Sequence, residues 1–233
     1  MSMRLVIKYT KEERVKYISH LDFLRLVQRA IRRADIPVAY SQGFNPHPRL
    51  SFASALAVGV TSEGEYLDIY LKDDMDPELL CNKMNEKLPS GIRFVEGRIV
   101  DEKLPSLMSL IERAEYAIVL PGEVPQKFNL PSVIGEFLSQ QEIWAVRTNR
   151  KGSRQIDIRP MIHGMDAFER DGNIVIKAII SSGSKANLRP DLLINALFDF
   201  AGLPIVPDLF FHIHRLDLYL LQEGKWVTPI GME

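Results

Sequence analysis

Apolar and polar residues alternate through MRLVIKY (3–9), and alternation rich in β-branched and aromatic side chains predicts a strand. The rhythm then lengthens. Leu24, Val27, Ala30, Ile31 and Ala34 gather on one side of a helical wheel, so a helix is expected from Ser19 to about Ala34. Ser19, with Asp22 three residues on, reads as an N-cap and a capping-box variant that gives first-turn N–H groups an acceptor. Pro37 forbids continuation of that helix, and PVAY (37–40) resumes as a strand. EYLDIYL (65–71) alternates again, Asp76-Pro77 opens the helix PELLCNKMNEKL, Gly91 ends it, and IRFVEGRIV (92–100) is a strand. The order is βαββαβ.

From residue 114 the pattern starts afresh. AEYAIVL reads as a strand, LPSVIGEFLSQQ as a helix, EIWAVRTNR with RQIDIRPMI as a strand or ribbon, NIVIKAII as a strand, RPDLLINALFDFAG as a helix and FFHIHRLDLYL as a strand. Corresponding elements sit about 110 residues apart, although the halves share little residue identity. The expected fold is α+β: two tandem ferredoxin-like (βαββαβ) units, each with two helices on one face of a four-stranded antiparallel sheet. The charged, proline-bearing stretch 101–112 is the expected boundary, giving domains 1–104 and 105–233.

Composition narrows the classes. With 46% hydrophobic and 25% charged residues in 233, the chain can bury cores and is expected to be globular. The single Cys81 excludes an internal disulfide and a self-contained iron–sulfur site, and it is expected to be a buried, inert thiol. MSMRLVIKYT lacks the apolar core of a secretory leader and no apolar run approaches a bilayer span, so a cytoplasmic protein with no membrane contact is expected. The net charge of −1 hides an asymmetry: residues 1–60 hold ten Lys or Arg against four Asp or Glu, and the rest hold nineteen against twenty-six. Such segregation points to a polyanion, or an acidic protein, met locally by the basic end.

The basic end has a focus. On the first helix Arg25, Arg29, Arg32 and Arg33 cluster within an arc of about 100°, opposite the apolar stripe, with only Asp22 beside them. The acid–base pairs of an inert helix face are missing, and arginine suits bidentate phosphate or carboxylate recognition. A solvated helix face is the plain alternative. Directly afterwards comes YSQGFNPHPRLSF (40–52), where Gly43 permits a positive φ while Pro46 and Pro48 push Asn45 and His47 toward extended conformations. The segment is therefore stiff. Phe44 is placed to stack on a base or ring, His47 to exchange a proton, and Ser41, Asn45 and Arg49 to hydrogen-bond; alternatively Phe44 and Phe52 plug the core.

Residues 17–69, YISHLDFLRLVQRAIRRADIPVAYSQGFNPHPRLSFASALAVGVTSEGEYLDI, resemble the bacterial radical-SAM-linked protein family, a domain of unknown function often encoded beside, or fused to the C-terminus of, a radical SAM protein. The resemblance thins over 154–190, resting there on IDIRP and SGSKANLRP. It implies a nearby radical SAM enzyme as partner, one that carries its own cluster and S-adenosylmethionine, and it implies neither a reaction nor transferable catalytic residues. This chain lacks CxxxCxxC and is not that enzyme.

Three further constellations carry weaker chemistry. In ISSGSKANLRP (180–190), Gly183, Ser184, Lys185 and Asn187 suit either an anion-holding nest or an ordinary capped turn. RTNRKGSRQIDIRP brings Arg147, Arg150, Lys151, Arg154 and Arg159 around Gly152, with Arg150, Lys151 and Arg154 expected near a hairpin tip. His212 and His214, at i and i+2, supply only two ligands, so no metal is expected, and no cofactor either. The expected function is a non-catalytic RNA-binding or substrate-presenting accessory protein for a radical SAM modification enzyme, with tRNA or another RNA as ligand. The alternatives are a metal-independent endoribonuclease using His20 and His47 as an acid–base pair, and a pure protein adaptor.

Overall fold

The structure, a computed structural model, describes residues 3–120, 129–149, 152–203 and 211–232. In chain order it places β1 (Met3–Lys11), α1 (His20–Arg33), β2 (Leu50–Phe52), β3 (Thr61–Leu71), α2 (Pro77–Asn85), β4 (Ile92–Val100), the single turn α3 (Leu107–Leu110) and β5 (Ile111–Leu120). There follow α4 (Leu130–Ser139), β6 (Trp144–Asn149), β7 (Gly152–Asp157), β8 (Ile162–Arg170), β9 (Asn173–Ser181), α5 (Pro190–Phe200), β10 (His212–Gln222) and β11 (Lys225–Val227). The chain is thus mixed α and β, its sheet mostly antiparallel and its helices few.

Two compact units divide it: Met1–Glu112 with Arg215–Glu233, and Arg113–His214. The split expected at 104/105 assigns the C-terminal strand to the second half, whereas β10 from Arg215 onward counts with the first unit. The cause lies in strand pairing. In the first unit the order is β4-β1-β3, and the far edge of β3 is shared between short β2, paired antiparallel through Leu50↔Ile69 and Phe52↔Leu67, and β10. Gly64 makes the second pairing possible, because a Cβ there would stand 2.3 Å from the Leu216 carbonyl oxygen.

Local chemistry explains where the helices begin. Ser19 Oγ accepts from the Asp22 backbone N–H at 3.3 Å and donates to the Asp22 carboxylate at 2.7 Å, and Asp76 accepts from Leu79 N at 3.0 Å with Pro77 behind it. α1 then lays Phe23, Val27, Ala30 and Ile31 on a core shared with Leu5, Ile7, Leu67 and Ile69 from the sheet. The arginines are left on the opposite side.

The second unit pairs β5-β9-β8 antiparallel, and β6 with β7 forms a separate two-stranded ribbon. The hydrophobic pattern predicts no strand at β8, its alternation being stronger in the ribbon just before it. IHGMDAFER carries too little apolar alternation to announce itself, and the register shifts between Ile162 and Gly164. PVAY is likewise not a strand but two isolated bridges, Val38↔Leu71 and Tyr40↔Pro48. Pro37 and Pro48 have no N–H to offer a ladder, so pairing restarts only at Leu50.

Candidate functional site

Both ends of α1 meet the segment that follows it. At the N-terminal end the His20 ring packs edge-on against Phe52, centroids 5.3 Å apart, and Phe52 joins Tyr9 and Phe23 in an aromatic cluster. At the C-terminal end Arg32 and Tyr40 line one open cleft of about 590 Å³ together with Lys72, Asp35 and Asp73. Helix and segment are therefore neighbours.

Between those anchors residues 41–47 form a closed, projecting loop. Ser41 N donates to the His47 carbonyl at 2.9 Å, and His47 N donates back to Ser41 Oγ at 3.0 Å. Gly43 sits at φ +126°, a conformation closed to other side chains, and Phe44 beside it is wholly solvent-exposed at 112% of its reference area. Of the two readings offered for the aromatics, Phe52 plugs the core at 4% exposure and Phe44 does not. Asn45 and His47 are exposed as well. Arg49 is spent locally: its guanidinium lies 4.0 Å from the centre of the Tyr70 ring.

The four helix arginines are exposed but not equivalent. Arg25 reaches the Asp22 carboxylate at 3.3 Å in open solvent, and Arg33 donates to the Lys87 carbonyl at 2.7 Å. Arg29 and Arg32 make no side-chain hydrogen bond or ion pair among the described residues. Two cations thus remain on the face without a neutralising partner among the described residues.

The other expected residues scatter. His20 and His47 share no hydrogen bond or ring contact among the described residues, His20 being held by Phe52 and His47 by Ser41. Arg150 and Lys151 lie outside the described residues, while Arg147 and Arg154 stand opposite each other on the ribbon. Arg159 leaves the basic cluster proposed for it, since Nε donates to the Leu138 carbonyl at 2.9 Å and Nη1 to that of Ile162 at 3.3 Å. Lys185 is exposed in a turn that Leu188 N closes on the Ser181 carbonyl at 2.9 Å. Cys81 is buried, and that burial raises its thiol to about 11. No helix among the described residues is long and apolar enough to cross a membrane, and no group of three or more His, Cys, Asp or Glu among them comes together to hold a metal.

Sequence reading missed the interior charges. Arg4 pairs with Asp68 at 2.8 Å and also donates to the Leu104 and Pro105 carbonyls, and Arg215 pairs with Glu65 at 2.9 Å; all four side chains are buried. Desolvation raises both carboxylates, against the pull of their arginines. Charged residues inside the alternating run EYLDIYL were the available signal. In the second unit, His163 at the β8 irregularity shares a 2.8 Å hydrogen bond with Ser181, and burial followed by the Arg113 charge lowers its pKa.

By fold and by site this is a protein of mixed α and β structure with a cationic helix face and, in the segment that follows the helix, a loop closed between Ser41 and His47 that exposes an aromatic ring. The chain belongs to a family described as an uncharacterized protein conserved in bacteria (DUF2344), matched over residues 4–190, a span that contains both helix and loop. No curated protein matches it in sequence. Among solved structures it is similar to a chain of a Cbf5-Nop10-Gar1 complex, at 13% identity and a TM-score of 0.47 over 92% of this chain. It spans about half, 48%, of that chain's length. It is also similar to an unknown protein from Galdieria sulphuraria, at 11% identity and a TM-score of 0.26 over 95% of this chain and 100% of the other. Likenesses this shallow carry no argument about fold or function.

Proposed function

We propose that this chain is a non-catalytic RNA-binding or substrate-presenting accessory protein for a radical SAM modification enzyme, and of the two roles we favour RNA binding. The observation that carries the RNA reading is that Arg29 and Arg32 are exposed without a partner among the described residues, while Phe44, in the segment that follows their helix, is wholly exposed. Guanidinium groups take phosphates bidentately, and an exposed ring on a stiff loop stacks an unpaired base at little entropic cost. The enzyme partner follows from the resemblance of residues 17–69 to the radical-SAM-linked family. We also read each half as a ferredoxin-like unit, because β4-β1-β3-β2 is the strand order of a split βαβ sandwich in the first.

Binding of a fluorescent tRNA at low salt, followed by anisotropy, tests the reading. Affinity should fall steeply with added salt, and replacing both Arg29 and Arg32 by Ala should flatten the log–log slope by about 1.4, at roughly 0.7 for each single-strand phosphate no longer neutralised. No binding of tRNA or total cellular RNA at low salt overturns it. A nuclease-resistant complex with the radical SAM enzyme in that case would make the arginine face a protein-docking surface.

A further inference from the structure

The cleft at the C-terminal end of α1 has a composition that a solvated helix end does not need. Its floor is apolar: Ile31, Ile36 and Val38 line it and are each buried to 6% exposure or less. Its volume of about 590 Å³ lies inside the range of roughly 300–1,000 Å³ typical of small-ligand sites. Its rim carries two cations and two carboxylates, Arg32 and Lys72 with Asp35 and Asp73, and the half-buried ring of Tyr40 stands among them.

Those four charges have not cancelled one another. Among the described residues neither carboxylate is hydrogen-bonded or ion-paired, the Arg32 guanidinium has no partner, and Lys72 Nζ rests only 5.6 Å from the Tyr40 ring centre. Asp35 reaches the mouth because the chain leaves α1 through a left-handed turn there, at φ +52°. Aspartate is one of the few residues other than glycine to accept that conformation. A site that keeps opposite charges apart around an apolar floor fits a flat ligand with an anionic end and a hydrogen-bond-donating edge.

We propose that this cleft receives one guanosine nucleotide turned out of the RNA strand, an inference that rests on the RNA-binding reading and names what the strand presents. Arg32 and Lys72 take the phosphate, Tyr40 and the aliphatic floor take the face of the base, and a rim carboxylate takes its Watson–Crick edge. Guanine is the base whose edge offers two adjacent donors, N1–H and the exocyclic amine, matching the two oxygens of one carboxylate. Adenine and cytosine put an acceptor beside their amine, and uracil flanks its single N–H with carbonyls, so none of the three offers a carboxylate two adjacent donors on that edge. Arg32 belongs to both surfaces, leading the strand from the helix face into the cleft.

Equilibrium dialysis of the full chain with GMP, AMP, CMP and UMP at low salt tests this. GMP should bind at least about tenfold more tightly than AMP, the discrimination of one good bidentate pair. Lys72→Ala should weaken GMP and AMP alike. Asp35→Asn with Asp73→Asn should remove the preference while sparing the affinity that depends on phosphate. Equal binding of all four nucleotides, competition by inorganic phosphate as effective as by GMP, or a preference unmoved in the double variant overturns the inference. RNA that binds in a salt-dependent way to a protein showing no mononucleotide preference sinks the cleft and leaves the RNA reading standing. A guanine preference in a protein that ignores RNA sinks the RNA reading and overturns the inference as stated, leaving a cleft for a free guanine nucleotide.

Discussion

The first unit uses arginine in two opposite ways. Arg4 and Arg215 are interior, each set against a carboxylate at 2.8–2.9 Å, with backbone carbonyls taking further N–H groups. Arg29 and Arg32 are exterior and meet no such partner among the described residues. The contrast separates charges that the fold must satisfy from charges it has no use for. An interior guanidinium without its acid is costly; an exterior one without an acid costs the fold nothing and is left free for a ligand.

That contrast breaks most visibly at Arg215. Replacing it by Ala strands Glu65 in the interior and should cost about 3–5 kcal/mol in urea unfolding, whereas changing Glu65 and Arg215 together to Leu and Met should cost much less. If the single and double changes are equally damaging, the loss is packing and not charge. Ser19→Ala, which removes the acceptor for Asp22 N, should cost about 1 kcal/mol by the same measurement. Arg29→Ala with Arg32→Ala should move stability by no more than about 0.5 kcal/mol while weakening RNA binding, the clean separation that exterior cations predict. The smallest effect belongs to His163. Its folded pKa lies below the ordinary 6.5, so its contribution is present above 6.5 and is lost as the pH falls from there through the folded value. An imidazole NMR titration with a midpoint at or above 6.5 would contradict this.

How much of this was legible beforehand depended on whether the signal was local. Ser19 and Asp76 name their own helices because a cap acts over three residues, and the wheel of α1 separated Val27, Ala30 and Ile31 from the arginines because burial follows 100° steps. The stiffness of 40–52 was equally local. What stayed hidden was set by distant partners. β8 takes its strand character from pairing with β9, and PVAY has the composition of a strand although β3 gives it only a bridge. At the site, the four arginines were legible as a face, but their inequality was not: it depends on the Lys87 carbonyl, 54 residues from Arg33. The cleft was invisible for the same reason, since Lys72 and Asp73 reach Arg32 only through the sheet.

Glu65 and the guanidinium that neutralises it are separated by 150 residues, with the whole of Arg113–His214 made in between. During synthesis on a ribosome, the first half would emerge with its central strand carrying an acid that must wait for its counter-ion. The charge balance of the first unit is therefore complete only once Arg215 has been made, 150 residues after Glu65.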